Sequence, residues 1–182
     1  MSFGAKGKTT IFSLPRPDYE EIKRHLEELG ADMVISDIDL ETSSNDLEKK
    51  IIEKFGSLPI LGLNCVGGSN ALGLAKLLQN NGLLLTYGAM AKRPITLPAS
   101  LLIFKNITFK GFWLSSLDKA ADEPNARSQR IVSEISKWIK MGTFKLDFTT
   151  HPMDSWQHAI DTAIKSSFTK SKQILLLSPE RD

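Results

Sequence analysis

The chain has 182 residues, of which 41% are hydrophobic and 24% are charged, and its formal net charge is +2. This composition is typical of a globular protein, and the small net charge gives no field that would attract nucleic acid or an anionic membrane. No apolar run reaches the length of a membrane span, and no apolar signal core follows the N-terminal MSFGAKGKTT. We therefore expect neither nucleic acid nor a membrane as a partner.

Strand and helix patterns alternate along most of the chain. Short apolar runs bounded by glycine or proline predict strands, and apolar residues three and four apart predict helices. Strands are predicted at 9–14, 31–36, 59–67, 82–88, 107–114 and 172–178, and helices at 18–30, 45–55, 69–80, 100–105, 127–142 and 154–164. This order predicts an α/β fold with an open, doubly wound parallel sheet and right-handed crossovers.

The sequence offers no residues with the spacing of a metal site. Cys65 is the only cysteine and lies in an apolar run, which is typical of a small buried residue. His25, His151 and His158 lie far apart, whereas zinc sites combine several closely spaced cysteine and histidine ligands. We therefore expect no metal ligand in this chain.

The residues after each strand form the candidate site, because doubly wound sheets bind ligands at the carboxyl ends of their strands. The strand at 59–67 runs into Gly67 and Gly68 and then into a helix, which is the outline of a phosphate-binding turn. The next glycine, Gly73, does not fit the G-x-G-x-x-G dinucleotide fingerprint, which occurs nowhere in the chain. We interpret this segment as a strand-to-helix turn that lines a cofactor cleft.

Other strand ends also carry candidate contacts. Arg16 precedes a predicted helix N-terminus and suits a 2′-phosphate, although a surface arginine has the same pattern. In TYGAM (86–90), Gly88 would let another group approach the backbone, or it would cap a helix beside core residues. The apolar residues 111–114 (GFWL) fit a core or a subunit interface as well as a cofactor contact.

Three blocks of the sequence carry a specific family resemblance. LNCVGG (63–68), GLLLTYGAMAKRPITLPASLLIFKNITFKGFWLSSL (82–117) and SKQILLL (171–177) resemble the mitochondrial 2-enoyl thioester reductases, that is, the trans-2-enoyl-CoA and enoyl-acyl-carrier-protein reductases of the zinc-independent medium-chain dehydrogenase/reductase superfamily. The chain looks like their C-terminal half, with a Rossmann-like sheet truncated before its second strand. The resemblance implies a partial dinucleotide-binding domain at 1–150, and a helix and strand at 151–182 that pack toward a catalytic domain outside this chain.

This resemblance implies an NADPH-dependent reduction of the 2,3 double bond of trans-2-enoyl thioesters in mitochondrial fatty-acid synthesis. Hydride passes to the β carbon and a proton to the α carbon, with a tyrosine of the family's N-terminal domain as the proposed acid. No residue of this chain matches that tyrosine, so no catalytic residue is assigned, and catalysis by the chain alone stays open. The alternatives are a non-catalytic cofactor-binding or dimerisation module and a quinone-reductase-like oxidoreductase.

The resemblance also assigns cofactor contacts. The family's Arg-Asp-Arg-Pro and Tyr-Gly-Gly-Met segments stand here as Leu14-Pro15-Arg16-Pro17 and Tyr87-Gly88-Ala89-Met90, its Phe-Trp-Leu is intact, and a lysine of the last strand is kept. The implied contacts are Arg16, Tyr87, Gly88, Ala89, Met90, Phe112, Trp113, Leu114 and Lys172. One lost arginine implies that NADPH is still preferred over NADH, but with less discrimination, and an alanine at position 89 is unfavourable if that position needs a positive φ.

The family pattern gives three further expectations. The apolar edge strand at 107–114 suits a homodimer interface in which two sheets become continuous. The family location is mitochondrial, whereas a complete chain with no transit peptide would be cytoplasmic. The strand that separates the first and third strands in the family is not part of this chain, so we expect one of three outcomes: the two strands close up directly, another segment or chain fills the gap, or the isolated chain is poorly stable. If the chain folds alone, we expect the two strands to close up.

Overall fold

The computed structural model describes residues 10–13, 19–42, 44–116, 126–144, 148–165 and 172–177. The chain divides into two compact units, Met1–Ser128 and Gln129–Asp182. The domain boundary at residue 150 stays a prediction.

In the first unit, strands and helices follow one another in the alternating order that the sequence predicts. They are β1 (Thr10–Ser13), α1 (Tyr19–Glu28), β2 (Met33–Ser36), α2 (Asp37–Thr42), α3 (Ser44–Phe55), β3 (Leu61–Asn64), α4 (Gly68–Lys76), β4 (Leu83–Thr86), α5 (Ala99–Ile103), β5 (Thr108–Gly111) and a 3-10 turn at Leu114–Ser116. The sequence pattern missed α2, because its six residues (DIDLET) are too few to show a helical repeat.

The strands of this unit pair in parallel within two sheets. β1 pairs with β2, and Thr10 lies opposite Met33. β3, β4 and β5 form a three-stranded sheet in which Leu61, Leu83 and Thr108 lie in register. The predicted α/β fold with parallel strands is confirmed, and the two sheets correspond to the two halves of a doubly wound sheet.

The expectation that β1 and β3 close up against each other is wrong. Within the described residues, β1 pairs only with β2, and β3 pairs only with β4. Closure was expected because unpaired backbone groups are costly when they are buried. On one face of β3, Leu61 is 49% and Leu63 is 58% exposed, so this face is not covered by the other half-sheet.

Two apolar clusters form the core of the first unit. One lies between the three-stranded sheet and helices α4 and α5, and its buried residues are Ala71, Ala75, Leu78, Leu84, Leu101 and Ile107. The other lies around β2, α2 and α3, and its buried residues are Ile35, Leu40, Leu47, Ile51 and Leu77. Leu74 of α4 packs against both clusters, so this helix joins the two half-sheets.

Helix α4 approaches α2 closely because Gly73 has no side chain. A Cβ atom at Gly73 would lie 2.6 Å from Cγ of Leu40, whose side chain is 1% exposed. A glycine in a helix interior costs about 1 kcal/mol relative to alanine. Here that cost is offset by the packing of Leu40 directly on the backbone of α4.

The second unit is a smaller α/β arrangement. Its elements are α6 (Ala126–Lys140), β6 (Phe148–Pro152), a 3-10 turn at Met153–Ser155, α7 (Trp156–Lys165) and β7 (Lys172–Leu176). β6 and β7 pair in parallel, and α7 packs on β7 with Ala159 buried. The sequence pattern missed β6, because FTTHP has neither an apolar run nor an alternation.

Among the described residues, no helix combines the length and the apolar character of a membrane span.

Replacing Gly73 with alanine should destabilise the chain. The methyl group gains about 1 kcal/mol of helix propensity, but overpacking against the buried Leu40 costs about 1–3 kcal/mol. We expect a net loss of about 1 kcal/mol in the free energy of unfolding by urea. Gly111→Ala is the matched control, because nothing lies within 4 Å of its Cβ position. Equal stability of the two variants would contradict the close packing of α4 on α2.

Candidate functional site

The carboxyl ends of β3, β4 and β5 meet at one edge of the three-stranded sheet. Asn64, Thr86 and Gly111 end these strands and lie opposite one another. Main-chain hydrogen bonds continue the pairing, since Tyr87 N donates to Asn64 O and Phe112 N donates to Thr86 O, both at 2.9 Å. The segments that follow the three strands therefore leave the sheet side by side.

Asn64 is the buried polar group at this edge, with 1% of its surface exposed. Its Oδ1 accepts hydrogen bonds from Val66 N at 3.1 Å and from Gly67 N at 3.0 Å. Its Nδ2 donates to Thr86 Oγ1 at 3.1 Å. One side chain thus connects the turn after β3 to the end of β4.

The turn after β3 requires its two glycines. Gly67 has φ +85° and Gly68 has φ +57°, which is the left-handed region that favours glycine. A Cβ atom on Gly68 would lie 3.4 Å from Cβ of Arg93, so the Arg93 side chain lies against this turn. Helix α4 begins at Gly68, and no side chain caps its N-terminus.

The segment after β4 folds back on the segment after β3. Met90 N donates to Cys65 O at 3.0 Å, and Ala91 N donates to Val66 O at 2.9 Å. A Cβ atom on Gly88 would lie 3.0 Å from Cys65 O and 3.3 Å from Cys65 Cα. The group that approaches Gly88 closely is therefore the chain's own backbone, and this contact explains the glycine.

Ala89 fits its position without backbone strain. Among the described residues, the non-glycine residues with positive φ are Asn81, Lys92 and Asn106. Because Ala89 is not one of them, the replacement of a family glycine by alanine costs no conformational strain at this position.

Large apolar side chains remain exposed at this edge of the sheet, and we call them the apolar shelf. They follow β4 and β5 and are between 40% and 65% exposed: Tyr87, Met90, Phe112, Trp113 and Leu114. Contiguous exposed apolar groups commonly mark a binding surface. Aromatic side chains beside a glycine turn suit a flat, partly apolar ring such as a nicotinamide.

The Tyr87 hydroxyl interacts with the neighbouring Cys65. A side-chain hydrogen bond between them, then partial burial, and then the charge of a Cys65 thiolate raise the pKa of Tyr87 above its ordinary value. Tyr87 is consequently an uncharged member of the apolar shelf across the physiological pH range. This suits a surface that receives an anionic cofactor, because a tyrosinate would repel its phosphates.

Arg16 and Lys172 are the two remaining predicted contacts. Arg16 lies outside the described residues, so its 2′-phosphate role stays a prediction. Lys172 is exposed at the start of β7 in the second unit, and its role toward the cofactor also stays a prediction. The structure therefore brings together the predicted contacts after β4 and β5.

Sequence reasoning missed three residues of this edge: Asn64, Thr86 and Arg93. A polar residue within the apolar run at 59–67 was the signal for Asn64, because buried asparagine needs hydrogen-bond partners. Thr86 ends an apolar strand in the same way. Arg93 carries no local signal, since its contact with Gly68 depends on how the segment after β4 folds back.

The parallel half-sheets and the strand-end site define a nucleotide-dependent dehydrogenase fold, and the chain belongs to the zinc-binding dehydrogenase family, whose model matches residues 19–133. The family description implies a zinc ion. Within the described residues, no group of three or more His, Cys, Asp or Glu side chains is placed to hold a metal. The donor set therefore does not fit a zinc ion, and no chemical step is assigned to one.

Within this family, the chain is similar to mitochondrial enoyl-[acyl-carrier-protein] reductases. The mouse protein is 36% identical over 173 residues, covering 93% of this chain and 44% of that protein. The Candida tropicalis reductase 1 is 41% identical over 132 residues, covering 70% and 32%. The solved Etr1p/NADP/crotonyl-CoA complex has a TM-score of 0.73 at 31% identity, covering 92% of this chain and 46% of that chain. The family resemblance is confirmed, and the chain spans at most about half the length of these relatives.

Removing the Cys65 partner should lower the pKa of Tyr87. In a Tyr19→Phe background, Tyr87 is the only tyrosine, so tyrosinate absorbance measures it alone. We expect both Cys65→Ala and Cys65→Ser to shift the Tyr87 titration toward the ordinary value of about 10, because neither side chain can place a negative charge beside the phenol. Because the raised pKa favours the neutral phenol in the folded chain, its contribution to stability should disappear as pH rises above about 10. The same Tyr87 titration with and without Cys65 would disprove this interaction.

Proposed function

We propose that the chain is the cofactor-binding half of an NADPH-dependent reductase of trans-2-enoyl thioesters in mitochondrial fatty-acid synthesis, with coenzyme A or acyl carrier protein as the carrier. The observation that carries this proposal is the meeting of the Gly67-Gly68 turn and the apolar shelf at one sheet edge. Support comes from the Etr1p complex with NADP and crotonyl-CoA, to which 92% of this chain is similar. The mouse and Candida tropicalis reductases that resemble this chain are mitochondrial by name, and we extend that location to this chain.

The described residues fit one wall of an NADPH site. The turn after β3 carries no side chain at positions 67 and 68, and the Arg93 side chain, which lies against Gly68, supplies a positive charge. The aromatic side chains of the apolar shelf would lie on the nicotinamide and exclude water from it. Arg16 would bind the 2′-phosphate, and Lys172 would contact the cofactor from the last strand. When bound, NADPH supplies the hydride that the thioester receives at its β carbon.

The proton donor of the reaction is proposed to lie outside this chain. The two tyrosines here are Tyr19 and Tyr87. The Tyr19 hydroxyl donates to Val34 O at 3.5 Å, and Tyr87 is paired with Cys65, so each has a local role. The mouse relative has more than twice the length that this chain matches. The complete reaction would then need that further part, and the chain alone would bind cofactor without turnover.

A second candidate is a non-catalytic module that binds nucleotide or dimerises. The observation in its favour is the length, because this chain covers 44% of the mouse relative and 46% of the Etr1p chain. The two candidates make the same prediction for cofactor binding by the isolated chain. They differ in whether a reductase forms when the remaining part of a relative is supplied.

Titration with NADPH should quench the fluorescence of Trp113 saturably. The matched variant Trp156→Phe, which removes a tryptophan of the second unit, should keep this response, whereas Trp113→Phe should lose most of it. We expect weaker binding of NADH, because it lacks the 2′-phosphate. An unchanged emission of the wild-type chain up to saturating NADPH would contradict the proposed cofactor site.

Crotonyl-CoA should not be reduced by the purified chain at saturating NADPH. Addition of the N-terminal half of a similar reductase should restore NADPH consumption, measured by absorbance, if the chain is half of an enzyme. Consumption by the chain alone would show that its own residues supply the proton. No consumption after reconstitution, with cofactor binding intact, would favour the non-catalytic module.

We also propose that β5 forms a homodimer interface. β5 is an edge strand of the three-stranded sheet; Thr108 N donates to Gly82 O directly before β4, and Phe112 N, directly after β5, donates to Thr86 O. In a parallel ladder, successive residues of a strand alternate between bonding to the neighbouring strand and directing their backbone groups away from it. The N–H groups of Phe109 and Gly111 are therefore directed outward, where a second copy can pair. The Candida tropicalis Etr1p/Etr2p structure, 32% identical, is a heterodimer.

Gly111→Pro should convert the dimer to a monomer. Proline removes the outward N–H while leaving the bonds between β5 and β4 in place. The measurement is the molar mass by light scattering, with circular dichroism as a check on folding. Gly111→Ala keeps the N–H and should remain dimeric. A monomeric wild-type chain, or a dimeric Gly111→Pro variant, would contradict pairing through this edge.

A further inference from the structure

Asn64 is the one buried polar or charged side chain among the residues that the structure describes. Burying an amide without partners costs about 1–3 kcal/mol in proteins, so its hydrogen bonds are needed. Its oxygen accepts from Val66 N and Gly67 N, and its nitrogen donates to Thr86 Oγ1. These bonds use three of the four hydrogen-bonding positions of the side chain.

The three bonds join two segments that would contact the cofactor. Two of them hold the turn that leads into Gly67 and Gly68, where the backbone has positive φ. The third fixes Thr86, the residue directly before Tyr87 and the apolar shelf. The Asn64 main chain adds a fourth link, because its carbonyl accepts from Tyr87 N at 2.9 Å. Both segments are therefore positioned by one residue.

Stability alone does not explain an asparagine here. A buried polar pair can often be replaced by apolar groups of similar shape with little loss of stability. The carboxyl ends of β3 and β4 are already paired through their backbones. What an apolar residue could not do is hold the Val66 and Gly67 amides in the turn conformation, and holding them lowers the entropy lost when a ligand binds.

We propose that Asn64 is a positioning residue for the cofactor site, which orders the Val66–Gly68 turn and the Tyr87–Met90 segment together before NADPH binds. This inference rests on the proposed function for the identity of the ligand. The ordering itself is a property of the chain without cofactor. It can therefore be measured separately.

Two variants and one control test this role. Asn64→Ala removes all three side-chain bonds. Asn64→Asp keeps an acceptor for the Val66 and Gly67 amides, and its second oxygen can accept from the Thr86 hydroxyl, which then donates. Gly73→Ala is the control for general destabilisation, because its clash is with Leu40 in the packing of α4 on α2.

The first measurement is amide hydrogen exchange by NMR on the full chain without cofactor. We expect Asn64→Ala to exchange faster at residues 66–67 and also at residues 87–91, and Asn64→Asp to restore slow exchange. The control Gly73→Ala should leave the relative protection of these segments unchanged. Unchanged exchange at residues 87–91 in a folded Asn64→Ala variant would overturn the inference.

The second measurement is NADPH affinity. We expect Asn64→Ala to weaken binding by about tenfold, Asn64→Asp to recover most of the affinity, and Gly73→Ala to bind as the wild type does. Wild-type affinity in a folded Asn64→Ala variant would also overturn the inference. If Asn64→Ala does not fold, failure of the folded Asn64→Asp variant to bind would overturn it. Failure of the wild type itself to bind NADPH contradicts the proposed function, and the exchange measurement then decides the ordering role alone.

Discussion

The packing of helix α4 on both apolar clusters is the constraint on which the first unit depends. The two half-sheets do not share a strand within the described residues, so the backbone ladders do not hold them together. Leu74 contacts both clusters, and Gly73 lets α2 approach until Leu40 lies on the helix backbone. Hydrophobic packing on α4 therefore connects the two half-sheets.

The same helix lies next to the site, because it begins where β3 ends. Gly67 and Gly68 connect the strand to α4. Asn64 then connects this turn to the end of β4, and the apolar shelf follows directly. The chain thereby presents an exposed apolar surface beside a glycine turn, which we propose as the surface for the nicotinamide ring, and it holds no assigned proton donor. The proposed division is that this part binds the cofactor and another part completes the chemistry.

The sequence predicted those strands and helices that contain an apolar run or a helical repeat of apolar residues. Strands β3 and β4 were visible as apolar runs, and α1, α3 and α6 as helical repeats. Helix α2 and strand β6 were missed, because DIDLET and FTTHP show neither period, and their contacts with the rest of the fold determine their structure. At the site, the segments after β4 and β5 were predicted from the sheet topology and from the sequence resemblance to the reductase family. Arg93 was not, because only the folded backbone brings it to Gly68, and Gly88 proved to face Cys65 rather than open space.

We propose that NADPH lies on the carboxyl ends of β3, β4 and β5. NMR chemical-shift mapping of the purified chain during a titration with NADPH tests this placement most directly. We expect saturable shifts concentrated in residues 65–70, 87–91 and 112–114, with a smaller response to NADH. The absence of shifts in these three segments, or saturable shifts confined to other parts of the chain, would contradict it.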